Sequence, residues 1–355
     1  MGLFTRRAQA AAAVECTATV TVGGLTFAAN AVGAGRERAM ALPTISRARD
    51  LLASLIGSLH IRQYGTQWNG EDLEEIPLPP ETWMLRPDPS TTRVHTLSWT
   101  FDDLFFYGRA HWLIRTRYAA GNFPASFQWL PAANVGVVAD AIAGNAPVGP
   151  YTLTYNGVEL NTADVVSFWS PLQGILTNGA RAIVTAEALD RAAYRTALSP
   201  LTAGWLKQTG GEPLSAEELT ELADAWVAAR EGNAIASLNQ YVDFVESSAS
   251  PEKLQHLESR QHQALELARL ANIPPYLVGA PASNSMTYQN AAQAAADAVT
   301  FGALPFLEVI EGTLSSEQVT PRGRLVRLDR SAWLDNPLNT LTGQTETPVG
   351  TGGTP

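Results

Sequence analysis

The chain is poor in the groups on which most enzyme chemistry runs. Among 355 residues there is one cysteine, Cys16, which excludes an intrachain disulfide framework and a cysteine-built zinc cage. Only five histidines occur: His60, His95, His111, His256 and His262. His256 and His262 lie six apart, off the three-or-four spacing that puts two ligands on one helical face. No HExxH, GxSxG or GxxxxGK[ST] pattern is present, and the lysine in GWLKQTGG lacks the spacing of a phosphate loop. VGAG at 32–35 has no third glycine and no acidic partner, so it is an ordinary turn. No metal or cofactor is expected. Charge is also scarce, at 16%, and tilted acidic: 24 Lys and Arg against 34 Asp and Glu give −10. That argues against a protein that clamps a polyanion, but not against one that lets nucleic acid pass. No apolar stretch approaches 18 residues, so no membrane span or membrane partner is expected. MGLFTRRAQAAAAVEC makes a poor signal peptide, because its apolar part is brief and alanine-rich.

What the chain does have is core material, with 45% hydrophobic residues over a length that suggests two or three modules. TATVTVGGLTFA at 17–28 reads as strand, turn, strand. Thr44 predicts a cap for a helix over 45–58, with Gly57 and Ser58 ending it. HIRQY follows as a strand. Five prolines between 77 and 89 leave little room for regular structure over 66–95. A short helix over 99–106, broken by Tyr107-Gly108, precedes the strands HWLIRTRY and SFQWL. Asn156-Gly157 between YTLTY and VEL marks a two-residue hairpin, and VVSFW is a further strand. This first half reads as a mixed α+β module.

The character changes at Arg181. Residues 181–198 contain no glycine or proline and predict a rod of about 27 Å, stopped by Pro200. An insertion of about 50 residues follows, over 201–249. Within it, Ser215 and Glu218 form a capping box for a helix ending near Gly232, and NQYVDFVES is a strand. Ser250, with Pro251 after it, opens a second rod to about residue 271, ended by Asn272, Pro274 and Pro275. GAPASNSM is small and uncharged. Thr287 predicts the cap of an alanine-rich helix kinked at Gly302 and Pro305. LVRLD closes the fold as a strand, and the residues after about 339 read as disordered. The two rods, if antiparallel, make a stalk carrying the insertion at its far tip.

Candidate chemistry is thin. The adjacent Asp102 and Asp103 suit a solvated or capping role better than paired-carboxylate catalysis. Arg115 and Arg117 share a strand face and suit an ion pair between subunits or an anion contact. Lys207, Lys253 and Arg260, spread among acids, offer a weak, slippery contact to a polyanion.

Several stretches together carry a family likeness. Over 241–290 stand Glu258 and Arg260, then Ile273-Pro274-Pro275-Tyr276-Leu277-Val278-Gly279, then Thr287-Tyr288-Gln289-Asn290. Leu85-Arg86-Pro87-Asp88-Pro89, Tyr107 to His111, Ala203 to Leu206, Arg230 to Ala234 and Leu325 to Asp329 add to it. The sequence resembles the HK97-like bacteriophage portal proteins over about 25–335.

The resemblance implies a portal fold of the α+β class with little or no crown. A mobile N-terminal arm would cover 1–24 and a wing 25–180. Stem helices would cover 181–200 and 250–275, with a clip at 201–249 between them. A tunnel-loop region would cover 276–289, a kinked helix and closing wing strand 290–338, and a disordered tail 339–355. The turn Pro274, Pro275 and Gly279 would join stem to wing, and the cap of Ser215 and Glu218 would stiffen the clip. Lys207, Lys253, Arg260, Ser283, Asn284 and Ser285 would be the tunnel contacts.

The resemblance also implies a homo-oligomeric ring, usually of 12 subunits, at one capsid vertex of the virion, assembled in the host cytoplasm. Double-stranded DNA would pass through its channel. The terminase large subunit would dock on the clip, followed by a head-tail connector, and the major capsid protein would be a further partner. Such a protein is not an enzyme. Two rival readings remain: a small hydrolase with its site at 99–170, and another oligomeric phage head or tail structural protein.

Overall fold

The computed structural model describes residues 19–22, 25–28, 35–198, 204–211, 214–232, 241–246, 256–279 and 296–331. The first described elements are a two-stranded antiparallel hairpin, β1 (Thr19–Val22) and β2 (Leu25–Ala28). A short helix α1 (Arg36–Met40) leads to α2 (Pro43–Ser58). Thr44 is not the cap of α2. Leu42 holds that position and Pro43 the first helical one, where the ring's fixed φ suits the helix and its missing N–H would be unpaired anyway.

Buried Ile45, Ala48, Leu52 and Ile56 line one face of α2. They pack on α4 (Arg93–Tyr107), which buries Leu97, Phe101, Leu104 and Phe105. α4 is longer than the sequence suggested. The Thr92 hydroxyl accepts from the His95 amide at 3.2 Å and starts it early, and Gly108 ends it at φ 70°. α2 ends at Ser58, as expected, and Gly57 in its last turn has a packing role besides. It lets the two helices touch, since a β-carbon there would lie 2.3 Å from Ser98 Oγ and 3.1 Å from the Val94 carbonyl. The Ser98 hydroxyl itself donates to the Ala53 carbonyl across the same contact at 3.0 Å.

The proline-rich stretch is more regular than expected. It holds β4 (Leu73–Leu78) and a short helix α3 (Thr82–Leu85). Pro77 is tolerated because β4 is an edge strand, where a missing N–H leaves no ladder bond unmade. β4 pairs with β3 (His60–Trp68), and β3 pairs on its other side with β13 (Arg324–Asp329), so the chain's late residues return to its early ones.

A second sheet runs β10-β5-β6, from β5 (Arg109–Arg117), β6 (Pro124–Leu130) and β10 (Val165–Trp169). A third runs β7-β8-β9, from β7 (Val135–Ala143), β8 (Ala146–Tyr155) and β9 (Val158–Leu160). Asn156 and Gly157 both take positive φ, 49° and 82°, as a two-residue hairpin requires. β7 was not legible in advance, because a bulge near Asp140 breaks its alternation.

The main core lies between the α2–α4 pair, the second sheet and a late helix, α9 (Leu304–Leu314). Trp83, Trp112, Phe127 and Phe168 are fully buried in it, and Phe101 meets Phe306 edge-on at 5.1 Å. The kink expected at Gly302 and Pro305 is a π-helical segment, Ala298–Ala303, running into α9. Proline lacks an N–H and its ring crowds the carbonyl four residues back; the wider turn relieves both. Glu311 of α9 is buried and accepts from the Leu328 amide at 2.9 Å and Arg330 at 2.8 Å, tying α9 to β13. Thr287 and the residues after 331 lie outside the described residues.

The Gly57 contact gives a test. Gly57→Ala should lower stability by about 1–3 kcal/mol through overpacking. Adding Ser98→Ala removes the atom the new methyl strikes and should recover part of that loss, read as chemical-denaturation midpoints of the single and double variants.

Candidate functional site

The feature that stands apart from the core is the pair of rods. α6 (Ala180–Leu198) has 19 residues and α8 (His256–Leu270) has 15, about 28 and 22 Å long. They are antiparallel. Gly179 sits against Leu270, Gln263 Nε2 donates to the Ala182 carbonyl at 3.0 Å, and Arg260 Nε pairs with Asp190 Oδ1 at 3.0 Å. Position rises along α6 as it falls along α8. Ile183 and Ala186 of α6, three residues apart on one helical face, and Leu267 of α8 are buried in the core.

The foot of α8 ends in a full cap. Asn272 takes φ 53°, its amide donates to the Arg269 carbonyl at 3.1 Å, and the Ile273 amide donates to the Ala268 carbonyl at 3.2 Å. This is the Schellman pair of bonds, with Ile273 buried as its apolar partner. Pro274 then opens a 3₁₀ turn over Pro275–Val278, closed by Gly279 at φ 75°. The turn packs against α2 and so fixes the rods to the core.

At the other end sits a separate small unit. β11 (Gly204–Gln208) and β12 (Val242–Glu246) pair antiparallel, with Gly204 opposite Glu246. The chain therefore enters and leaves this unit side by side. Between them runs α7 (Ala216–Gly232), whose Trp226 stacks on Phe244 of β12 at 5.3 Å. Ser215 and Glu218 make the reciprocal cap. The Ser215 amide donates to Glu218 Oε2 at 2.8 Å and the Glu218 amide to Ser215 Oγ at 3.3 Å. These bonds hold the exposed Glu218 carboxyl below its ordinary range. α7 presents Glu217, Glu221 and Asp224 together with exposed Leu219 and Val227.

Of the basic candidates, Lys207 is exposed on β11, in register with Asp243. Arg260 is half-exposed and engaged with Asp190 between the rods. Lys253, Ser283, Asn284 and Ser285 lie outside the described residues, as does the start of the second rod at Ser250. The structure thus brings Arg260 and the Pro274, Pro275 and Gly279 turn to one pair of helices, and Lys207, Ser215 and Glu218 to the tip unit.

The 99–170 module does not look like a catalytic centre. Asp102 and Asp103 are not solvated; both are buried. Asp102 takes Arg36 at 2.8 and 2.9 Å and Arg49 at 2.6 Å, both guanidinium groups lying over Trp99. Asp103 accepts from Trp129 Nε1 at 2.8 Å and the Ala132 amide at 3.1 Å, yet burial pushes its carboxyl well above the ordinary range. Arg117 is tied within the chain, to Asp164 at 2.9 Å and to two carbonyls.

His111 Nδ1 lies 3.0 Å from Ser167 Oγ, but the ring is fully buried and its Nε2 has no partner among the described residues, so no triad forms. A groove of about 230 Å³ between α2, α6 and α8 is open, and its Asp190 and Arg260 face each other. Among the described residues no three His, Cys, Asp or Glu side chains gather as a metal site would need. Sequence reading missed the arginine cluster on Asp102 and the Arg38–Glu187 pair that ties α1 to α6. Their partners are 66, 53 and 149 residues apart, and no local pattern signals them.

Burial lowers the His111 imidazole to about 3, with Arg109 adding to the effect. Unfolded, it binds a proton near 6.5, so the native state loses stability as pH falls from about 6.5 towards about 3. Asp103, raised, works in the opposite sense. His111→Gln should remove the histidine part. Between about pH 7.5 and about pH 4.5 the wild type should lose about 2–3 kcal/mol more than the variant, read from urea midpoints.

Comparison with known proteins places these features in a family. The phage portal protein family model matches residues 43–352. A probable portal protein of Streptomyces phage phiC31 is 34% identical over 103 residues, which span 28% of this chain and only 22% of that relative. The crystal structure of an HK97 family phage portal protein from Corynebacterium diphtheriae superposes with a TM-score of 0.65 at 25% identity, covering 85% of this chain and 98% of the other. The neck of a native gene transfer agent particle, computed with C12 symmetry, shares the fold with a TM-score of 0.58 at 17% identity, covering 89% of each chain.

Proposed function

Because the chain belongs to the phage portal protein family, of the HK97-like type, we propose that it assembles into a ring of twelve copies with a central channel through which double-stranded DNA is packaged and ejected. The observation that carries this reading is the stalk: two antiparallel rods rooted in the core at one end and holding a self-contained tip at the other. A lone monomer gains nothing from such a projection. In a ring, each stalk becomes one stave of a tube. The neck related to this chain by fold was computed with C12 symmetry, which suits twelve copies here.

In this reading the core sheets and α2, α4 and α9 form the wing. α6 and α8 form the stem, the unit of β11, α7 and β12 forms the clip, and residues 276–289 form the tunnel-loop region. The ring sits at one vertex of the capsid, with the major capsid protein around it, and assembles in the host cytoplasm. The terminase large subunit docks on the clip, and a head-tail connector replaces it there. α7 offers an acidic face of Glu217, Glu221 and Asp224 and, away from it, the exposed apolar side chains of Leu219 and Val227, so both charge and apolar anchors are available for docking.

The role is that of a conduit and not of a catalyst. With a net charge of −10 the chain repels a phosphate backbone on average, and basic groups such as Arg260 are already partly neutralised. Contacts of that kind are brief and salt-sensitive, so the DNA slides.

Native mass spectrometry of the assembled particle, with top-view imaging, tests this. A closed twelvefold ring with a central hole is expected, whereas a stable monomer or dimer, or an assembly with no channel, overturns it.

A further inference from the structure

The described sheets expose several free strand edges, and some of them are defended. Unpaired edges template pairing with another chain, so proteins blunt them with charge, proline or shortness. The β4 edge carries Glu74, Glu75 and Pro77. β9 is only three residues long and contains Glu159. Beyond β9, the same side of β8 is guarded by Pro147 and Pro150. β7 is different. It is the terminal strand of its sheet, its first five residues are Val-Gly-Val-Val-Ala, and its one charge, Asp140, lies beyond them at the bulge. Val138 there is 64% exposed. On the same sheet Val148 and Val158 are exposed as well, at 53% and 67%.

The chain also holds a two-stranded hairpin outside those sheets. Among the described residues, β1 and β2 pair only with each other. Two strands of four residues are at best marginal in water without a third strand or a packing partner. From Thr17 to Gly35 the sequence has no charged residue at all, in a chain that is 16% charged. The Val135 carbonyl already accepts from Arg109 Nη2 at 3.3 Å, which leaves Gly136–Ala139, and a four-residue strand matches that stretch in length and in lack of charge. α1 is pinned by Arg36 on Asp102 and Arg38 on Glu187, and the eight steps from Ala28 to Arg36 reach up to about 27 Å.

We propose that the β1–β2 hairpin of one subunit adds to the Gly136–Ala139 edge of β7 in a neighbouring subunit, extending the β7-β8-β9 sheet across the contact between copies. The exchange rests on the ring reading above. Main-chain hydrogen bonds supply its strength, and the uncharged faces of hairpin and sheet supply its selectivity.

Co-assembly of two singly labelled chains tests it. In a Cys16→Ser background, one chain carries Ala139→Cys. The other carries a single cysteine scanned over the described strand positions 19–22 and 25–28. Mild oxidation of the assembled ring should give covalent heterodimers at one or two scanned positions, because directly opposed strand positions come within disulfide range. In the ring of unmodified chains, those amides of Val135–Ala139 that point away from β8 should exchange at least about tenfold more slowly than in a ring of Thr21→Pro chains. A ring that forms with no heterodimer at any position, or that links only when both cysteines sit in one chain, overturns the exchange and leaves the ring standing. Native mass showing no ring overturns both.

Discussion

The architecture depends on how closely α6 and α8 approach at their foot. Gly179 leaves no room there, since a β-carbon would lie 2.2 Å from Leu270 Cδ2. That contact, with Ile183, Ala186 and Leu267 buried nearby, holds the feet of the two rods together. The Schellman cap at Asn272 and the turn through Pro274 and Gly279 hold the foot of α8 against α2. Everything farther along, including the tip unit, inherits its position from this root.

The electrostatics follow a consistent division. Inside the body, charges are buried in sets: Asp102 with two arginines, and Glu311 with Arg330 and a backbone amide. Breaking such a set strands a charge, so it fixes one arrangement firmly whatever its net contribution to stability. Along the rods the pairs are exposed. Arg260 with Asp190 and Arg191 with Glu187 are worth at most about 1 kcal/mol each. The body is thus locked by paired charge, while the stalk is held chiefly by apolar packing and its charges stay available to the solvent.

The parts legible in the sequence were those set by local chemistry. The capping residues Ser215 and Glu218, the Asn156-Gly157 turn, the Gly108 stop and the glycine-free rod at 181–198 are each read within a few residues. The kink near Pro305 was legible as a position but not as a π turn. What escaped was non-local. β4 forms because β3 offers it an edge, despite Pro77. Asp102 and Asp103 look like surface acids until the fold brings Arg36, Arg49 and Trp129 onto them from as far as 66 residues away. Their burial in ion pairs and hydrogen bonds is a property of the fold, which the residue order does not reveal.

One feature bears on how such a chain can change over time. The tip departs and returns through Gly204 and Glu246, which face each other across a single ladder. A segment whose two ends already touch can be lengthened, trimmed or swapped without altering the spacing of the helices beneath it. Variation is therefore cheap at the tip and expensive at the root, so divergence among relatives should accumulate outward from a conserved base.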